Sequence, residues 1–308
     1  MSAHSLKLNI TILSIRSMAI AILLCVLFIY YNFAISNSYQ KKRQNNACGV
    51  ILFVHINKCG GGSVDRWFKT HAPLLFLTPP GYHKDEQSIK DTNTLWQKMV
   101  PKATRFISGV SNESGWKVLH HHVYFPGIFY SQKIIRQWKK TVEDKGCIFH
   151  KTTILRDPLD RFISSVNWYK PPMKDINTFM YSRRNWLIRY ILFGICGYYD
   201  KELRCGFNRK GNFTMTPSLN KTHVKEAKRI INTFDSIGFL DKFGDYLENI
   251  RNVTGWKDNR MNHKKSVKIH KSKDSFNLSK KLFTEFVKLN QEDYMFYYTI
   301  RNQMFLDS

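Results

Sequence analysis

Acidic residues are scarce in this chain. Asp and Glu number 23 against 48 Lys and Arg, a formal charge of +25 over 308 residues. The basic residues come as pairs spread along the sequence, from Lys139-Lys140 and Arg183-Arg184 to Lys264-Lys265 and Lys280-Lys281. Such an excess goes beyond what solubility requires and attracts polyanions: nucleic acid, acidic lipid or acidic polysaccharide. Cysteine is sparse too, and no Cys-x-x-Cys or Cys/His cluster has zinc spacing. There is no internal repeat and no long low-complexity run. The length suits one domain of moderate size, or one with an extra segment. Also missing is Gly-x-x-x-x-Gly-Lys-Ser/Thr, the phosphate loop that nucleotide triphosphatases use with Mg²⁺.

One long apolar run is present. Ser17 to Ile35 is almost wholly apolar, and about 20 such residues span a bilayer. Tyr30 and Tyr31 would sit near an interface. Ala34-Ile-Ser36 loosely resembles a signal cleavage site, but the length favours an uncleaved signal anchor. The expected organisation is a cytoplasmic tail over 1–16, a transmembrane signal anchor over 17–35, a polar stem over 36–47 and a lumenal domain over 48–308. Flanking charge does not orient the segment. Asn-x-Ser/Thr acceptors at Asn112, Asn212, Asn220, Asn252 and Asn277 favour a type II, lumenal placement. That address removes nucleic acid from the partners and leaves acidic glycans, with membrane contact through the N-terminal helix. Homo-oligomers are compatible with it. In an oxidising lumen Cys196 and Cys205 are expected to pair, with Cys48 and Cys147 as a second pair and Cys59 free.

The strongest local signal lies at Val50–Phe68. Five apolar residues, Val50-Ile-Leu-Phe-Val54, read as a buried strand. Lys58-Cys-Gly-Gly-Gly-Ser63 then makes a tight turn, and Ser63 is expected to cap a helix carrying Val64, Trp67 and Phe68 on one face. Strand, glycine turn and helix present backbone N–H groups and a positive helix end to a phosphate. A second such unit follows. Phe149–Leu155 reads as a strand, Arg156 stands at its end, and Asp157-Pro158 starts a helix through Tyr169. Arg156 offers a bidentate fork and Ser164 a hydroxyl to one crevice at the strand's carboxyl edge. Strands alternating with helices predict an α/β domain with a mainly parallel sheet flanked by helices.

These two units together resemble the donor-binding segments of the Golgi carbohydrate sulfotransferases, with a P-loop-like sulfotransferase fold. The uronyl 2-O-sulfotransferases, chiefly the heparan sulfate type, are nearest. Lys58–Ser63 looks like their 5′-phosphosulfate loop. Thr153–Ser165, with Arg-Asp-Pro, Arg161 and Ser164 in order, looks like their 3′-phosphate segment. His120-His-His122-Val-Tyr-Phe is similar to their His-x-His-Val-x-Phe, Cys196-Gly and Cys205 to a Cys-Gly…Cys loop, and Ile237–Phe243 to a Val-Gly-x-Thr-Glu segment. Asn262-His263-Lys264-Lys-Ser266 resembles a basic stretch that closes over the nucleotide. The likeness covers roughly Val50 to the C-terminus. Cys59 and Gly62 stand where the family carries hydroxyl residues.

The resemblance implies a Golgi membrane glycoprotein that uses 3′-phosphoadenosine 5′-phosphosulfate, without a required metal, to sulfate a glycan hydroxyl. The implied acceptor is a glycosaminoglycan uronic acid 2-O position, with galactose 3-O or chondroitin/dermatan transfer as alternatives. The implied donor contacts are Lys58, Cys59, Gly60, Gly61, Gly62, Ser63, Arg156, Ser164, His263 and Lys264. A histidine can take the acceptor proton. His122 is the first choice as base; His120, two residues away, shares its face on a strand, and His121 points the other way. Lys58 would stabilise the leaving phosphate. A metal at His120 and His122 has no evident third ligand in the sequence. A glycan-binding homologue with weakened catalysis is one rival. A P-loop kinase is another, and the position of Lys58 before the glycines counts against it.

Overall fold

The computed structural model describes residues 25–28, 30, 31, 48–77, 92–122, 127–193, 219–257 and 279–306. The chain divides into Met1–Asn46 and Ala47–Ser308. The expected transmembrane anchor is not upheld. Among the described residues no helix is long and apolar enough to cross a membrane. Of the apolar segment, only residues 25–28, 30 and 31 are described, and they are helical. An apolar composition alone does not make a span, which needs about 20 continuous helical residues. The signal anchor, the type II topology and the Golgi-membrane address rested on that segment and are withdrawn with it.

The second unit has the expected α/β architecture. Strands β1 (Gly49–Val54), β2 (Leu74–Phe76), β3 (Trp116–His121), β4 (Ile148–Leu155) and β5 (Ser236–Phe239) form a sheet of order β2-β3-β1-β4-β5. Every pairing in it is parallel. β1 is buried at all six positions, as a central strand covered on both faces must be. Its side chains alternate between two cores. Val50, Leu52 and Val54 join a cluster with Trp138, Ile191 and Ala227. Ile51 and Phe53 join another with Val64, Trp67, Phe68 and Leu247. Each large apolar side chain so enclosed contributes roughly 1.5–3 kcal/mol.

The helices are α1 (Gly61–Lys69), α2 (Thr92–Ser108), α3 (Ile128–Glu143), α4 (Pro158–Tyr169), α5 (Ile176–Ser182) and α6 (Trp186–Phe193). They continue with α7 (Lys221–Ile231), α8 (Phe243–Thr254), α9 (Lys280–Leu289) and α10 (Gln291–Leu306). Asp157 caps α4 by accepting from the N–H groups of Leu159 and Asp160, with Pro158 at the first position, as its sequence requires. α1 differs from expectation: Gly60, not Ser63, is its N-cap, at φ 88°. A left-handed residue there lets the helix begin earlier, and glycine adopts it without a Cβ clash. α7 starts at Lys221 because the Asn220 side chain accepts from His223 N–H.

Buried polar groups knit the layers together. His150 Nε2 lies 2.8 Å from Ser236 Oγ, which donates to Thr152 Oγ1, which in turn donates to Tyr246 Oη. This chain ties β4, β5 and α8. Asp293 of α10 accepts from the N–H groups of Leu187 and Ile188 at the start of α6.

Of the expected disulfides, Cys48–Cys147 is formed. Cys196 and Cys205 lie outside the described residues. Cys48 immediately precedes β1 and Cys147 immediately precedes β4, so the bond staples the entrances of two adjacent strands. Among the acceptors, Asn112 is exposed in a turn, Asn252 is exposed within α8, and Asn220 serves as the α7 cap; Asn212 and Asn277 lie outside the described residues.

The Cys48–Cys147 bridge spans 99 residues of sequence. Constraining an unfolded loop that long stabilises the folded chain by several kcal/mol in the chain-entropy account. The double substitution of both cysteines by Ser is expected to lower the unfolding free energy by about 2–5 kcal/mol in urea titration. A loss below about 1 kcal/mol would show that the bridge adds little to this fold.

Candidate functional site

Three adjacent strands end side by side, and each end carries a residue of interest. β3 leads into His122, β1 into the glycine turn with Lys58, and β4 into Arg156. Because the order is β3-β1-β4, the turn lies between the other two. Ligands of open parallel sheets bind at such carboxyl edges.

The turn has specific steric demands. Lys58 itself is left-handed, at φ 67°. A Cβ at Gly60 would meet Leu240 at 2.5 Å, and one at Gly61 would meet His55 Nε2 at 1.9 Å. Gly62 is different: it is exposed, and nothing lies within 4 Å of an added Cβ. Steric need therefore explains Gly60 and Gly61 but not Gly62. The N–H groups of Gly61 and Gly62 open α1 and have no carbonyl one turn earlier to bond, which leaves them for an anion. Ser63 sits within the first turn, its N–H bonded to Gly60 O at 2.9 Å.

Cys59 does not face the site. Its side chain is buried in the core and its N–H bonds Ile56 O at 3.2 Å. Burial, chiefly, pushes its thiol up to about 12, against the pull of Arg161 and Arg156. It is an unreactive packing residue in this structure, and a donor contact would have to come from the backbone of its neighbours.

The two segments expected to bind anions meet directly. Arg156 Nη1 donates to the Lys58 carbonyl at 3.3 Å. The Lys58 ammonium lies over the Trp168 ring of α4, 4.1 Å from its centroid. Ser164 is half-buried one turn before Trp168 on that helix, so the two are surface neighbours. Burial, then Arg156, then Arg183 lowers Lys58 to about 8 from the ordinary lysine value. Arg183 is a member that sequence reasoning did not assign. Its guanidinium stacks 4.6 Å from the Tyr169 ring and 4.5 Å from the Trp186 ring. Arg161, matched in the family pattern, is fully buried under the site, 3.5 Å from Ser165 Oγ. Ser165, not Ser164, is thus the inward hydroxyl of α4. Lys58, Arg156 and Arg183 crowd like charge together, which an anion would relieve.

On the other flank the histidines gather. His55, His120 and His122 have ring centroids 4.8 to 5.4 Å apart. The alternation expected for β3 holds, with His120 and His122 in one cluster. His120 is wholly buried, while His122 is half-buried at the strand end. His120 Nδ1 lies 3.2 Å from Asp65 Oδ1 on α1, yet neither atom has an aligned hydrogen bond among the described residues. Burial dominates both groups, raising Asp65 to about 7 and pushing His120 well below the ordinary histidine value. Both directions disfavour the charged forms. His55 is lowered to about 4 by burial and then by Lys58. His263 and Lys264 lie outside the described residues.

His55 and Asp65 were not singled out in the sequence. His55 was legible as the second residue of the strand's alternation after Phe53. Asp65 carried no signal, since its partner lies 55 positions away.

No protein-family model matches the chain, and no curated protein matches it. Among solved structures, an uncharacterized protein from Eubacterium ventriosum aligns over 65% of this chain and 96% of its own, at 14% identity and a TM-score of 0.31. The PezAT chromosomal toxin-antitoxin system of Streptococcus pneumoniae aligns over 66% of this chain and 95% of its own, at 12% identity and a TM-score of 0.29. At these scores neither likeness carries an argument about activity.

Proposed function

We propose that the chain is a carbohydrate O-sulfotransferase that uses 3′-phosphoadenosine 5′-phosphosulfate and sulfates a hydroxyl of an acidic glycan. The observation that carries this reading is the Arg156–Lys58 hydrogen bond. It joins the two segments whose sequences resemble the 3′-phosphate and 5′-phosphosulfate contacts, where Arg156 and Arg183 lie close enough to lower the Lys58 ammonium. The surplus of basic residues suits an acidic glycan acceptor, with a glycosaminoglycan uronate 2-O position first among the candidates.

In this reading the 5′-phosphosulfate lies at the α1 N-terminus, against the Gly61 and Gly62 N–H groups and Lys58. Arg156 and Ser164 take the 3′-phosphate. His122, the more accessible of the paired histidines, accepts the proton of the acceptor hydroxyl as its oxygen attacks sulfur. The bond from sulfur to the bridging phosphate oxygen breaks, and that oxygen takes the electron pair. Lys58 and the helix end meet the growing charge there. The products are a sulfate ester, adenosine 3′,5′-bisphosphate and a proton on His122. His120 is closed from solvent and touches no acceptor in this arrangement. One observation favours a second reading, a glycan-binding protein with weakened catalysis: Cys59 is turned inward and Gly62 has no hydroxyl, so the turn offers Ser63 as its own side-chain hydroxyl.

Transfer of labelled sulfate to a panel of desulfated glycosaminoglycans and galactosides tests the reading. Lys58→Ala and His122→Ala are each expected to reduce transfer by at least about a hundredfold, with circular dichroism unchanged. Full activity in either variant would remove the role given to that residue.

The displaced titration of Lys58 gives a second test. Its proton is lost near pH 8 in the free chain. An anion that touches it favours the charged form, so affinity is complete below that pH and declines above it, by up to about tenfold per pH unit. The phosphates of adenosine 3′,5′-bisphosphate are already fully ionised by then, with second pKa values near 6. Calorimetric affinity for this nucleotide is expected to bend downward above about pH 8, and Lys58→Arg to remove the bend. A flat profile in the unsubstituted chain would contradict the contact.

A further inference from the structure

The cluster at His55, Asp65 and His120 has chemistry that sulfuryl transfer does not use. These three residues come from β3, the end of β1 and the first turns of α1. Each offers one ligand atom, and the three atoms lie within 4.8 Å of one another. His55 Nδ1, Asp65 Oδ1 and both ring nitrogens of His120 are buried and have no hydrogen-bond partner among the described residues. Unsatisfied buried polar atoms each cost about 1–3 kcal/mol, so native structures keep few of them. One such atom from each of the three residues can meet a common partner.

We propose that His55, Asp65 and His120 form a binding site for a divalent transition-metal ion of the Zn²⁺ class. Two imidazoles and one carboxylate are a donor set that such ions take with a further position open to water. Ligand atoms about 3.3 Å apart suit a tetrahedral ion at the usual 2.0–2.1 Å bond lengths. The Asp65–His120 approach of 3.2 Å is already at that spacing. The widest separation closes by side-chain adjustment of about 1–1.5 Å. A bridging water is the alternative occupant. It would satisfy two or three of the same atoms but would not select a cation.

The site also has a consequence for the glycine turn. His55 Nε2 stands where a Gly61 side chain would begin, so an ion that fixes this ring fixes the floor under the first N–H groups of α1. Asp65 belongs to that same helix. The ion would clamp α1 to β1 and β3 directly behind the proposed donor loop. Its role is positional and independent of whether the chain transfers sulfate.

The test uses the full chain, stripped with a chelator and dialysed. Calorimetric titration with Zn²⁺ is expected to show one equivalent bound, and thermal melting to show a higher midpoint with the ion present. X-ray absorption of the Zn²⁺-loaded chain is expected to show two imidazoles and light oxygen donors, without sulfur. This reading needs no variant. Asp65→Asn and His55→Gln are each expected to weaken Zn²⁺ binding at least tenfold, while His71→Ala, a nearby histidine outside the cluster, leaves it unchanged. No binding by the unsubstituted chain, sulfur or a single imidazole at the ion, or undiminished affinity in folded Asp65→Asn would each overturn the site. A negative result here leaves sulfate transfer and nucleotide binding to be judged by their own assays, because neither step is routed through the ion.

Discussion

Arg156 donating to the Lys58 carbonyl is the contact on which the site depends. A carbonyl is exposed in that direction because Lys58 is left-handed, which turns its peptide away from an ordinary extended path. The guanidinium can reach it because β4 is hydrogen-bonded to β1 in parallel register, so both strands end at the same level. Strand pairing thus sets the distance between two loops that lie about a hundred residues apart in sequence. The Cys48–Cys147 bridge holds the opposite ends of those same strands.

With the loops so fixed, charge does the rest. Lys58, Arg156 and Arg183 are close enough to depress the lysine, and partial burial strips part of the water that would screen them. A site in this condition resists further cations and gains from a multivalent anion. Aromatic faces hold the cations meanwhile, with Lys58 over Trp168 and Arg183 over Tyr169 and Trp186. The histidine flank is of opposite character. Burial there disfavours the charged forms of His55 and His120, and His55, Asp65 and His120 carry side-chain atoms without a hydrogen-bond partner among the described residues. The proposed donor phosphates are assigned to the cation-rich flank, and the proposed base and metal ligands to the histidine flank.

Much of this was legible in the sequence for identifiable reasons. Val50–Val54 had to be a buried strand because no polar residue interrupts it, and Asp157-Pro158 had to start a helix because both residues have that local preference. The glycine turn was legible as a strand-to-helix connection, though its cap was not. Whether Gly60 or Ser63 begins the helix depends on a backbone angle that composition does not set. Arg183, His55 and Asp65 were hidden because their neighbours are fixed by tertiary packing, as with Asp65 of α1 against His120 of β3. Cys59 looked like a donor contact by position alone, and only the fold shows it directed into the core. The apolar N-terminal run was read as a span from hydropathy, and among the described residues no helix is long and apolar enough to cross a membrane.

The central claim is that Lys58 and Arg156 hold the two phosphates of one nucleotide, and a double-mutant cycle read by calorimetry with adenosine 3′,5′-bisphosphate tests it most directly. The unsubstituted chain is predicted to bind one equivalent. Lys58→Ala and Arg156→Ala are each predicted to weaken binding, and the double variant to differ from their sum by at least about 0.5 kcal/mol, as coupled neighbours do. Absence of binding, or strictly additive losses, would contradict the account.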